Sequence, residues 1–103
     1  MKPPKTVDIG PTRYKVVMGA EDMPARGYFR TYDGIELRSK MPKDMEAEVL
    51  LHEVLHAIMY TFNEYMNLKK KDEERIVSNL STSLATVFRQ NPKLLKYLTE
   101  TLR

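Results

Sequence analysis

Glycine stops at Gly34. All four glycines of the 103-residue chain lie in its first third, and five of the six prolines lie at or before Pro42; beyond it the one remaining breaker is Pro92. Turns that need left-handed backbone therefore belong to the first part, and the rest is free to run as long helices. The first part carries three β-prone stretches, 14–18, 28–32 and 35–37, with Asp33-Gly34 between the last two as a hairpin signal. Two or three antiparallel strands over 5–39, with a loop at 21–27, are expected.

Pro42 suits the first turn of a helix, and Asp44 favours the same end of its dipole. A first helix is expected over 43–66, with Leu51, Val54, Leu55, Ile58 and Phe62 as its buried stripe. Residues 67–72, with Lys69-Lys70-Lys71, interrupt the apolar period and read as a loop. Asp72 then caps a second helix reaching about Arg89, with Val77, Leu80, Leu84 and Val87 or Phe88 on its apolar face. Asn91-Pro92 opens a third helix through Leu94, Leu95 and Leu98. The expected fold class is α+β: a short N-terminal antiparallel sheet followed by three helices, one domain over 1–103.

Cysteine is absent, which excludes disulfides, thiolate metal sites and cysteine nucleophiles and fits a reducing compartment. The net charge of +3 comes from interspersed signs. Its densest basic run, Lys69 to Lys71 with Arg75, is diluted by Asp72, Glu73 and Glu74, so no nucleic-acid partner is expected. The longest apolar run, VLLHEVLHAIMY, is too short for a bilayer and carries His and Glu at its centre. The start, MKPPKTVDIG, lacks the apolar stretch of a signal peptide. No membrane partner is expected, and the expected location is cytoplasmic.

The chemistry lies in that apolar run. The only two histidines, His52 and His56, frame the string HEVLH. Two imidazoles four apart share one helix face and can hold one zinc ion, and Glu53 can reach a water on that ion. Random placement of two His and nine Glu gives this arrangement about two times in a thousand, so chance is a poor explanation. A catalytic zinc site needs a third protein ligand, and neither cysteine nor a further histidine exists to supply it. Carboxylates at the start of the second helix remain: Glu73, Glu74 and, less well placed, Asp72. Glu73 is in phase with Val77, Leu80 and Leu84, nearer the centre of the apolar face. Glu74 sits at its edge with Val77, Ser78 and Ser81, where small serines allow close helix approach. Either acid could instead serve the helix dipole alone.

HEVLH, the stretch EERIVSNLS and a weaker echo in GIELRS resemble small phage-type gluzincin metallopeptidases, related to the peptidase domain of phage immunity and radiation-response regulators. The resemblance covers roughly half the chain. It implies a minimal zincin-like fold, zinc as cofactor, and His52, His56 and Glu74 as ligands, because Glu74, Val77 and Ser78 match the family's frame and Glu73 does not. Ser78 departs from the Asp or Asn usual there, and no zinc ribbon or helix-turn-helix accompanies the site. The implied activity is zinc-dependent peptide hydrolysis with Glu53 as general base, accepting a proton from the metal-activated water and passing it to the leaving amine. Tyr60 and Tyr65 are positioned to help but read as packing residues. The strand at 35–38 is either a rail for an extended substrate or an edge blunted by Glu36, Arg38 and Lys40. The implied partner is a polypeptide substrate, narrowed by the chain's small size toward one regulatory protein. The alternative is a non-catalytic interaction module with a structural or vestigial metal site, its adaptable surface supplied by methionines such as Met59 and Met66.

Overall fold

The computed structural model describes residues 1–62 and 68–102. Four strands, β1 (Thr6–Ile9), β2 (Thr12–Met18), β3 (Gly27–Arg30) and β4 (Gly34–Leu37), precede three helices, α1 (Lys43–Phe62), α2 (Lys70–Gln90) and α3 (Pro92–Thr101). The α+β order matches the expectation. The sheet, however, is mixed: its order is β1-β2-β4-β3, and β2 and β4 run parallel. After Met18 the chain crosses the end of the sheet, lays β3 on the far edge and returns in β4 between β3 and β2. Hairpin signals report only consecutive pairs, so this non-local pairing leaves no local mark. β1, outside the expected stretches, pairs antiparallel with the start of β2.

The β3–β4 hairpin pairs Arg30 with Gly34, so residues 31–33 form the turn, earlier than Asp33-Gly34 suggests. Gly34 adopts φ +97, and a Cβ there would run into the Lys15 carbonyl of β2, so close strand approach and backbone conformation both demand glycine. One sheet face packs on α1 through Val16, Ile35 and Leu37 of one cluster and Ile9 and Tyr14 of another, joined by Phe29 and Val54. The other face is polar: Arg13 forks onto Asp8 at 2.7 and 3.1 Å, and Arg30 reaches Glu36 at 2.8 Å while lying over the Tyr28 ring.

Of the expected α1 stripe, Val54 and Ile58 pack on the core clusters. The buried residues of the helix are Glu46, Glu53 and Ala57, flanked by Val49, Leu50 and Val54 toward the sheet, whereas Phe62 is exposed. The helix is covered on two sides, by the sheet and by α2, so its apolar residues do not mark a single direction. The expected extension over 63–66 lies outside the described residues.

α2 starts two residues before Asp72; Lys69 is its N-cap without a side-chain bond, and Glu73 N–H donates to the Lys69 carbonyl at 2.9 Å. Lysine is a good helix former, so nothing stops the helix short of residue 70. Its buried face is Val77 and Ser81, while Leu80 and Val87 are exposed. Ser81 is 3 % exposed and its Oγ donates to the Ser78 carbonyl at 3.1 Å. α3 opens at Asn91-Pro92 as expected, although the Asn91 amide donates to the Val87 carbonyl and so closes α2 rather than capping α3.

Candidate metal centre

His52 and His56 stand one turn apart on the side of α1 that meets α2, their ring centroids 4.9 Å apart. Both present Nε2 to the same carboxylate. Glu74 Oε1 lies 3.0 Å from His52 Nε2, and Glu74 Oε2 lies 2.8 Å from His56 Nε2. Ligand atoms of the three residues all fall within 4.8 Å of one another. Glu74 projects from the first turns of α2, and Ser78 Oγ, one turn further on, donates to its Oε1 at 3.4 Å. Beside it Thr82 Oγ1 donates to Glu48 Oε1 at 2.9 Å, tying α2 to α1 across the same seam.

Both carboxylates left open by periodicity reach the histidines, on different sides. Glu74 faces both Nε2 atoms, whereas Glu73 Oε1 stands 3.9 Å from His56 Nδ1, beyond hydrogen-bond range. Asp72 turns away to Arg75 at 3.4 Å. The donor set of two imidazole nitrogens and one carboxylate oxygen is the set zinc takes in catalytic sites. A tetrahedral zinc needs its ligand atoms about 3.3 Å apart, and one ligand atom from each of the three residues lies within 4.8 Å of the others. His52, His56 and Glu74 therefore fit such an ion with small side-chain shifts.

Glu53 is 7 % exposed, with its carboxylate beside Gly27 of β3. Among the described residues no hydrogen bond or ion pair reaches its carboxylate. Burial pushes this carboxyl above the usual carboxylate range, against a downward pull from His52 and His56 and with a smaller push from Glu74. Two hollows open on either side of it. One, of about 400 Å3, is lined by Arg26, Met45, Glu48, Val49 and Thr82 among others; the second, of about 490 Å3, by Tyr28, Thr31, Tyr60, Lys70 and Glu73. Gly27, His52 and Glu53 border both, so the two meet in one cleft at His52 and Glu53, with His56 on the side of the second hollow.

β3 is the rim of that cleft and an edge strand, while β4 is paired on both sides. This corrects the placing of a substrate rail at 35–38: those residues have no free edge, and residues 27–30 do. Gly27 was read from sequence only as the end of a loop. A Cβ at this position would lie 2.8 Å from Val49 Cγ1 and 3.2 Å from Glu53 Oε2, so glycine is what lets β3 approach α1 and leaves Glu53 open to the cleft. Tyr60 lines the second hollow and also tilts against Phe29, centroids 6.0 Å apart. Tyr65 and Met66 lie outside the described residues. Arg26, Glu48, Lys70 and Thr82 were not foreseen, since the register that brings them to the cleft is tertiary.

No protein-family model matches the chain, and no curated protein or solved structure does either. Among the described residues no helix is long and apolar enough to cross a membrane.

Proposed function

We propose that this chain is a zinc-dependent metallopeptidase, with His52, His56 and Glu74 as metal ligands and Glu53 as general base. The observation that carries the reading is the convergence of two Nε2 atoms on both oxygens of one carboxylate, beside a buried and unpaired acid at the centre of a cleft. Zinc, when bound, supplies a Lewis acid that polarises the scissile carbonyl and acidifies water toward a pKa of about 7. Glu53 takes the proton released from the attacking water on its carboxylate and returns it to the departing amine, so one group serves as base and then acid. Its burial keeps competing water off the carboxylate and raises its proton affinity, which suits both halves of that transfer. An extended polypeptide, held along the free edge of β3, would cross the site with side chains entering the hollows on either side. The absence of cysteine supports a reducing, cytoplasmic setting.

The competing reading, a non-catalytic interaction module, draws support from α3, where Leu94, Leu95 and Tyr97 are exposed and no residue is buried. One variant separates the two. Glu53→Gln should retain the metal and lose cleavage of a mixed peptide library by about a thousandfold. A parent protein that binds zinc at full occupancy and cleaves nothing in the library would leave the interaction module as the better account.

A further inference from the structure

A separate groove of about 750 Å3 lies on the β1–β2 side of the sheet and shares no lining residue with either hollow beside Glu53. Its walls are apolar: Pro3, Pro4, Val16, Val17 and Met18. Around them stand Lys2, Lys5, Lys15 and Lys43, with Glu46 the one acid, already paired to Lys43 at 3.2 Å. Among the described residues Lys2, Lys5 and Lys15 make no ion pair. A chain whose charges are otherwise interspersed thus gathers unmatched lysines about one apolar groove.

The backbone there is also unmatched. The β1–β2 ladder ends at Thr6↔Lys15, extended by one bond from Val16 N–H to the Lys5 carbonyl at 2.8 Å. Backbone groups alternate sides along a strand, so the Met18 N–H and carbonyl point the same way as those of Val16, toward the side that β1 has left. The upstream chain at that level is Pro3-Pro4, and proline has no N–H to donate. Val17 and Met18 therefore keep β4 on one side and no strand on the other, and the two residues are 47 % and 46 % exposed. An amphiphile with an acyl tail would answer the apolar walls and lysines but not the free strand edge.

We propose that this groove is a docking site for an extended acidic peptide, added as a strand beside Val17 and Met18 with its apolar side chains on the proline and valine walls and its carboxylates on Lys2, Lys5 and Lys15. The proposal is independent of the metal centre. The probe is a fluorescein-labelled, end-capped hexapeptide of alternating valine and glutamate, followed by anisotropy, with amide shifts mapped in parallel. Saturable binding is expected, with shifts concentrated at Val17 and Met18. The Lys5→Glu, Lys15→Glu double variant should weaken it at least about tenfold, as should raising salt from about 20 to 200 mM. Both lysines are exposed, so the double variant should keep the parent's circular dichroism and melting point. Absence of saturable binding up to about 1 mM peptide, unchanged affinity in the double variant, or shifts confined to other strands would overturn the proposal. Binding of decanoate but not of the peptide would overturn it too, in favour of an amphiphile site.

Discussion

Glu46 and Glu53 lie two turns apart on one helix, and each is 7 % exposed, yet their surroundings have nothing in common. At the start of α1, Glu46 meets Lys43 one turn back and is shielded by a side chain that itself reaches water. In the middle of α1, Glu53 has no such partner among the described residues; it faces a cleft, two imidazoles and a second carboxylate. Burial of a charge with a local counter-charge is ordinary helix architecture. Burial of a charge without one lowers stability, and is retained where the group has chemistry to perform.

The largest effect should come from the metal. If Glu74 completes the site beside Glu53, a strong chelator should lower the parent's melting temperature by about 10 °C or more, since tight binding to the folded state alone contributes about 3 kcal/mol at this chain length. In Glu74→Ala the same chelator should shift the melting curve by no more than its scatter.

Next in size is Gly27→Val, which puts branched carbon where Val49 and the Glu53 side chain already stand. It should cost about 1–3 kcal/mol in urea unfolding and also slow cleavage, because the strand must lift from the carboxylate it frames. A variant that is destabilised yet fully active would separate Gly27 from the site.

The two acids themselves should respond in opposite directions. Glu53→Gln should raise the stability of metal-free protein at neutral pH by on the order of 1 kcal/mol, by removing an unpaired buried charge. Glu46→Gln should lower it by about 0.5 kcal/mol, because the pair it forms with Lys43 is half open to solvent. Equal changes in urea midpoint for the two variants would dissolve the distinction.

The smallest effect is expected on the solvent face of the sheet. The Arg13 guanidinium holds the Asp8 carboxyl below the usual carboxylate range, so the pair favours folding above the unfolded-state pKa of Asp and loses that contribution as pH falls through the folded value. Both side chains are fully exposed, and Asp8→Asn should be barely destabilising at pH 7. The gap in midpoint between parent and variant should close as the solution is taken toward about pH 2.

What could be read from the residues was what a helix makes local. HEVLH fixes two imidazoles on one face because four residues are one turn, and the glycine and proline distribution separated sheet from helices for an equally local reason. Glu73 and Glu74 could not be parted by periodicity, since both start α2 and both end near the histidines. Their roles differ by the rotation of α2 about its axis, which turns Glu74 to both Nε2 atoms and leaves Glu73 3.9 Å from His56 Nδ1. The α1 stripe holds at Val54 and Ile58 and not at Phe62, because helix and sheet cover two sides of α1, and the buried centre includes two glutamates that no hydropathy pattern would select. The parallel β2–β4 pairing depends on a crossover through 19–26 that carries no periodic signal, and with it went the identity of the free edge beside the site.

The most direct test is zinc stoichiometry by plasma mass spectrometry on parent, Glu53→Gln, Glu73→Gln and Glu74→Ala proteins reconstituted under identical conditions. One zinc per chain in the first three and almost none in the last is the predicted result. Zinc retained in Glu74→Ala, or no zinc in the parent, would contradict the three-ligand centre on which the proposed chemistry rests.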